Sequence, residues 1–224
     1  MCYSLVPDNV TAATFSRVGC AAACSSRRCG LFSFNGGVCT MGSVGSVPAG
    51  AQNTKLYVLA DPSAAQISTP LPVVGNPAFG SNFWTSPQNL IPGLAVDGSV
   101  VSPSYYHSAP TLSDPWWVVD LQVCHLVSAV HVQPKGDGSH TIHFRSIEVR
   151  VGLEFDSSQY SDTSSDFSSW ALLGTFAGPP SSQEPVVFSS SEGVSGRYIS
   201  IKRNGTNNAY LVLAEVWVYV YVLD

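Results

Sequence analysis

The chain has 224 residues, of which 45% are apolar and 11% charged, with 10 basic against 15 acidic residues and a net charge of −5. That composition supplies a packed core and excludes a disordered chain. The charges form no basic stripe, so neither nucleic acid nor an anionic membrane surface is an expected partner.

Five of the six cysteines, Cys2, Cys20, Cys24, Cys29 and Cys39, fall in the first 39 residues. A segment this small cannot bury enough core to hold itself, so the density predicts a disulfide framework and an oxidising compartment. A zinc site is the competing reading. It lacks paired Cys-x-x-Cys knuckles and a nearby histidine. Residues 1–60 are expected to form one small α+β module. Thr14 to Ser25 reads as a helix with Cys20 and Cys24 on one face. Cys29 to Phe34 reads as a strand, Asn35-Gly36-Gly37 as a turn and Val38 to Met41 as the returning strand. A helix presenting two cysteines to a hairpin presenting two more suggests bridges Cys24–Cys29 and Cys20–Cys39. Lys55 to Leu59 reads as the closing strand. The segment resembles a PAN/apple module through its Cys-xxx-Cys helix, Cys-xx-Phe-x-Phe strand and Cys-x-Met strand. It lacks a final cysteine to pair with Cys2, which leaves Cys2 either free or joined to Cys124.

Residues 61–69 read as a linker, and residues 70–224 as an all-β domain. Short alternating segments recur there between Gly, Pro, Ser and Asn clusters: Trp116–Leu121, Val127–Val132, Ser146–Gly152, Trp170–Phe176, Val186–Phe188, Arg197–Lys202 and Leu211–Tyr221. Asp156 to Ser169 reads as a long polar loop. The adjacent Trp116 and Trp117 should face opposite sides of one strand, one in the core and the other under a loop or sheet edge. No apolar run reaches the roughly 18 residues of a spanning helix. The first residues carry no charged and apolar leader, so a secretion signal would be already removed or lie upstream. Asn9 and Asn204 begin glycosylation sequons, in keeping with a secreted or cell-surface location.

Six blocks occur in order: Gly75-Asn-Pro-Ala78, Ala95-Val-Asp-Gly98, Pro115-Trp-Trp-Val-Val-Asp-Leu121, Ile147-Glu-Val-Arg-Val-Gly152, Gly196-Arg-Tyr-Ile-Ser-Ile201 and Leu213-Ala-Glu-Val-Trp-Val218. Together they resemble a discoidin, or F5/8 type C, domain. The resemblance implies an eight-stranded jelly-roll β-sandwich with binding loops at one end. Within that group the chain is most similar to the F-type, fucose-binding lectins. Their sugar site uses a His before the Trp-Trp strand, an Arg-x-Asp and a second Arg. The similarity carries these roles to His107, to Lys135 and Asp137 of Lys135-Gly-Asp137, and to His143, with Arg145 two residues on and hence on the same face if the strand extends that far. Lys keeps the charge of Arg and loses its planar fork. Gly138 and Ser139 replace the vicinal cysteines that follow the Asp. Trp84, on a loop with Phe83, is a further candidate for stacking on sugar, or else a buried plug.

The same resemblance implies a structural Ca²⁺ held by Asp97, Ser99 and Ser104 on one loop, with Glu215 and the Ala214 carbonyl from the last strand. The bland alternative has Asp97 capping its own turn and Glu215 pairing with a strand arginine. His125, His131, His140 and His143 invite a metal reading, but surface or strand histidines are the simpler account. Lys135-Gly-Asp137 is also an integrin-like tripeptide, a match common by chance. No nucleophile elbow, P-loop, zincin helix or dinucleotide fingerprint is present, so no enzymatic activity is expected. The sequence therefore predicts a secreted, calcium-supported, lectin-like protein of recognition or adhesion whose partners are glycans or glycoproteins. The rival is a structural subunit of an extracellular matrix or appendage, binding other protein subunits or copies of itself.

Overall fold

The computed structural model describes residues 3–7, 31–35, 38–46, 56–58, 68–110, 113–136, 138–161, 165–181, 184–205 and 209–221. The chain divides into two compact units, Met1–Ile67 and Ser68–Asp224. In the first, β1 (Tyr3–Pro7), β2 (Leu31–Asn35), β3 (Val38–Ser46) and β4 (Leu56–Val58) form an antiparallel sheet of order β1-β3-β2-β4. The hairpin expected around Asn35 is there, with Asn35 opposite Val38, and the closing strand is β4, paired to β2. The expected helix over 14–25, Cys20, Cys24, Cys29 and the Asn9 sequon lie outside the described residues.

The second unit holds β5 (Ser68–Leu71), β6 (Ala78–Gly80), β7 (Tyr106–His107), β8 (Trp116–Pro134), β9 (Ile147–Gly152), β10 (Ala171–Phe176), β11 (Val186–Arg203) and β12 (Val212–Tyr221), with one helical turn, α1 (Gly138–Thr141). All eight strands pair antiparallel, in the order β10-β9-β11-β8-β12-β5, with β6 on β8 and β7 on β12. β5 begins inside the stretch read as linker, and pairs Ser68–Leu71 with Tyr221–Val218.

Two pairs of short strands expected from the sequence are single long ones. β8 runs through Gln122, which adopts φ +70° while its N–H donates to Asp120 Oδ1 at 2.8 Å. β11 runs from Val186 to Arg203, and its register against β8 slips at Ser189/Val194 and again at Gly196/Tyr198. Such irregularities bend a strand without ending it. β8 can therefore sit beside β6 at Trp117–Val119 and beside β12 at Val127–Pro134. Cys124, just past the irregularity, is disulfide-bonded.

Both faces of β8 are covered, which is why Trp116–Leu121 is buried throughout and, apart from Asp120, apolar rather than alternating. Trp117 is fully buried in the main core with Val119, Val130, Ile199 and Val216, and its Nε1 donates to the Pro92 carbonyl at 2.9 Å. Trp116 faces the other way, into a second cluster with Val118, Phe167 and Trp170. The segment read as a simple polar loop supplies that cover. Tyr160 and Phe167 stack at 4.6 Å, Trp116 Nε1 donates to the Ser161 carbonyl, and Phe155 packs on Trp116 at 6.0 Å. Its polar residues hid an apolar face made by Tyr160 and Phe167, which Phe155 extends from just before the segment.

Candidate functional site: a histidine and aromatic hollow on one rim

The sheet alternation of the segment before β8 builds the site. Tyr106 is fully buried, and its hydroxyl donates to the carbonyls of Ser81 and Trp116 at 3.2 Å. Its neighbours Tyr105 and His107 consequently face the other side. Backbone hydrogen bonds hold the strand from both flanks: Trp84 N–H to the His107 carbonyl at 2.9 Å, His107 N–H to the Leu90 carbonyl at 3.2 Å, and Ser108 N–H to the Leu211 carbonyl at 3.0 Å. Phe83 bridges to Ser108 and packs on the core, whereas Trp84 stays 37% exposed.

These constraints leave a hollow of about 210 Å³ lined by Trp84, Pro87, Gln88, Leu90, Tyr105, His107 and His140. That lies below the range of drug-sized pockets and suits a single small ring. His107 is 8% exposed rather than solvated. Its ring lies 5.6 Å from Trp84, 5.5 Å from His140, 5.4 Å from Tyr210 and 6.4 Å from Tyr105, centroid to centroid. Nδ1 sits 2.7 Å from the Ser108 carbonyl, a group that only accepts. The neutral ring therefore carries its proton on Nδ1 and leaves Nε2 as an acceptor. Burial pulls the imidazole below its ordinary pKa, the Ser108 carbonyl pulls the other way, and His140 adds to the lowering.

Of the sugar-site residues expected from the sequence, Trp84, His107, Lys135 and His143 come together. Lys135 Nζ lies 4.9 Å from the centre of the Tyr105 ring, a cation–π distance, so Tyr105 is shared by Lys135 and His107. His143 packs edge-on against Tyr210 at 4.8 Å. Asp137 lies outside the described residues. Arg145 does not extend a strand: β9 starts at Ile147, Ser146 takes φ +52°, and Arg145 sits exposed in the preceding turn.

Sequence reasoning missed His140 and Tyr210. Three residues apart in an irregular loop, His140 and His143 would share no side. The chain instead makes a helical turn at Gly138–Thr141, followed by His143 N–H to the His140 carbonyl at 2.9 Å, and both rings reach the same aromatic group. Tyr210 arrives from the segment before β12 and carried no local signal. Arg203, at the end of β11, is 6% exposed and donates from Nη1 to the Tyr210 carbonyl at 2.8 Å. His131, by contrast, is remote from this group and packs against Tyr219 at 4.2 Å.

A second cluster lies at the other end of the same segment. Asp97 Oδ1 accepts from Ser99 N–H at 2.8 Å, Asp97 Oδ2 accepts from the Ser104 hydroxyl, and Glu215 Oε2 accepts from Gly98 N–H at 3.1 Å. Gly98 has φ +84°, which glycine adopts freely. Asp97 thus does cap its own turn, while among the described residues Glu215 pairs with no arginine. Glu215 is 1% exposed, and its carboxyl is pushed up to about 7 by burial first, with Asp97 raising it further against backbone N–H groups of Gly98, Val216 and Ser99. The β12 register against β8 slips between Leu213 and Glu215, so Ala214 has no opposite residue. Among the described residues no three His, Cys, Asp or Glu side chains converge on one metal position. An ion here would need the serine and carbonyl oxygens as well as the two carboxylates. That hard-oxygen donor set suits calcium.

The second unit is an antiparallel β domain whose loops gather around a hollow. The family model of the F5/8 type C domain matches residues 79–216, and the chain belongs to that family. No curated protein matches the chain. Among solved structures, the lectin domain of Lectinolysin complexed with Lewis B antigen has a TM-score of 0.55 at 22% identity, covering 70% of this chain and 100% of its own. A fucolectin from striped bass (Morone saxatilis) serum gives 0.56 at 21%, covering 99% and 80%. The family 32 carbohydrate-binding module of C. perfringens NanJ in complex with galactose gives 0.53 at 15%, covering 68% and 99%. At these identities the likeness establishes the fold.

Proposed function

We propose that the chain is an extracellular, non-enzymatic carbohydrate-binding protein that seats one sugar residue of a glycan or glycoprotein in the His107 hollow. The observation that carries this is the state of His107. A buried imidazole with Nδ1 committed to a carbonyl offers Nε2 to a hydroxyl, inside a wall of aromatic faces. A pyranose presents both a row of hydroxyls and an apolar face, and Trp84 and Tyr105 suit the latter. Lys135 adds a donor beside Tyr105. The described ligands of the similar structures, Lewis B antigen and galactose, are sugars, which supports the class.

Asp97, Ser99, Ser104, Glu215 and the Ala214 carbonyl are proposed to hold Ca²⁺. Two neighbouring carboxylates, one buried, with no lysine or arginine among their recorded partners, support this. The ion would tie the 97–104 loop to β12. That loop runs directly into Tyr105 and His107, so it would steady the hollow without touching the sugar. Residues 1–60 are proposed as a PAN-like module bridged at Cys20–Cys39 and Cys24–Cys29, in keeping with secretion. A glycan array probed with and without chelator tests the whole reading. Binding to a restricted set of sugars, weakened by chelation, is expected; uniform absence of binding refutes it.

A further inference from the structure

The lysines and arginines of the second unit are Lys135, Arg145, Arg150, Arg197, Lys202 and Arg203. Three are paired with carboxylates: Arg150 to Glu148 at 2.7 Å, Arg197 to Asp120 at 2.6 Å, and Lys202 to Asp114, just before β8, at 3.8 Å. The other three are Lys135, beside the hollow, and two arginines next to Tyr210 and His143. Lys135 lies over Tyr105, Arg203 is tied to the Tyr210 backbone, and Arg145 is close enough to both Arg203 and His143 to act on their charge. No carboxylate among the described residues lies within ion-pair distance of Arg145 or Arg203. Among the described residues, Arg145 and Arg203 are thus two neighbouring cations without a carboxylate partner.

Arg203 makes the pattern informative. It is 94% removed from solvent, yet its Nε has no hydrogen-bond partner. A buried guanidinium is ordinarily paired, because desolvating it without a counter-charge is costly. Here the charged group that acts on it among the described residues is another arginine, Arg145. Burial, then Arg145, pull Arg203 below its ordinary pKa, and burial followed by Arg203, His140, His107 and Arg145 does the same to His143. Each of these groups would gain from a negative charge placed among them. A neutral sugar supplies none.

Resting on the sugar-binding reading above, we propose that the ligand is an acidic sugar, a pyranose bearing a carboxylate or a sulfate ester, with its ring against Trp84, Tyr105 and His107 and its anionic group toward His143 and Arg145. Arginine is the residue suited to such groups, since its planar donors match two anionic oxygens at once. Arg203 acts from below as a fixed positive field, and Arg145, exposed, supplies the direct contact. His140 closes the hollow on the helical-turn side.

Matched pairs test this with the full chain by isothermal titration: galactose against galacturonic acid for the carboxylate, and methyl fucoside against its sulfate ester for the sulfate. The charged member of at least one pair should bind about tenfold or more tightly at low salt. The advantage should shrink in 0.5 M NaCl, and R145E should reverse the ratio of charged to neutral affinity. Equal or tighter binding of both neutral members overturns the acidic preference and leaves sugar binding standing. Absence of binding to all four sugars overturns both. An R145E variant with a cooperative melt and an unchanged ratio also overturns it.

Discussion

The two ends of the segment from Asp97 to His107 carry opposite electrostatics. At its start, Asp97 and Glu215 converge with no lysine or arginine among their recorded partners. At its end, His107 packs with His140 and Tyr210, and Tyr210 leads on to His143 and two arginines that pair with no described carboxylate. On the sheets, Arg197 and Asp120 form a two-pronged pair and Arg150 pairs with Glu148. The proposed ligands of opposite sign would supply the counter-charge that these two spots lack among the described residues. The acidic spot suits a hard cation, and the basic one suits a hydroxylated and anionic ring.

Each spot can be broken separately. The largest expected effect is on stability at the acidic one. Glu215 has its folded pKa raised from 4.5 to about 7, so its contribution is present below pH 4.5 and lost as pH rises through about 7. That shift corresponds to roughly 3 kcal/mol. The metal-free protein should therefore melt lower at pH 8 than at pH 5, and millimolar calcium should restore Tm at pH 8 far more than at pH 5. E215Q should raise the metal-free Tm at pH 8 and abolish the calcium response. A calcium response that survives E215Q would remove the assignment.

At the basic spot, H107A should cost about 100-fold in sugar affinity, or about 3 kcal/mol, while leaving the calcium-dependent Tm shift intact. Loss of both together would mean that the two spots are one structural unit. W84A removes one stacking face and should cost about tenfold, or about 1.4 kcal/mol, read by titration against the same sugar. The smallest effect is a control remote from both. Arg197 is 38% exposed, so R197M should cost about 1 kcal/mol or less. Burial opposes ionisation of Asp120, but Arg197 and the Gln122 N–H outweigh it and hold its carboxyl below the ordinary value. This contribution is present above the usual carboxylate pKa and fades as pH falls. R197M should leave sugar affinity unchanged.

Particular residues explain what the sequence disclosed. Trp116 and Trp117 announced a strand covered on both faces, since adjacent side chains in a strand point oppositely and each tryptophan needs a roof. The cover over Trp116 was hidden because Tyr160 and Phe167 are spaced through a serine-rich segment with no period. Val127–Val132 and Trp116–Leu121 read as separate strands because Gln122 interrupts the apolar run, whereas the backbone simply bends there. His107 and Lys135 were legible as a pair through their motif context. His140 and Tyr210 were not. One depends on a helical turn of four residues, too short for periodicity, and the other on a loop whose position is fixed by Ser108 Oγ accepting from Leu211 N–H at 2.9 Å.

The most direct measurement is nitrogen NMR of the histidine side chains during titration with a sugar selected on the array. The account predicts that His107 starts as the neutral ring protonated on Nδ1 and that its Nε2 resonance moves with ligand occupancy as it accepts a hydroxyl. A saturable sugar complex in which the His107 nitrogens do not move would contradict it.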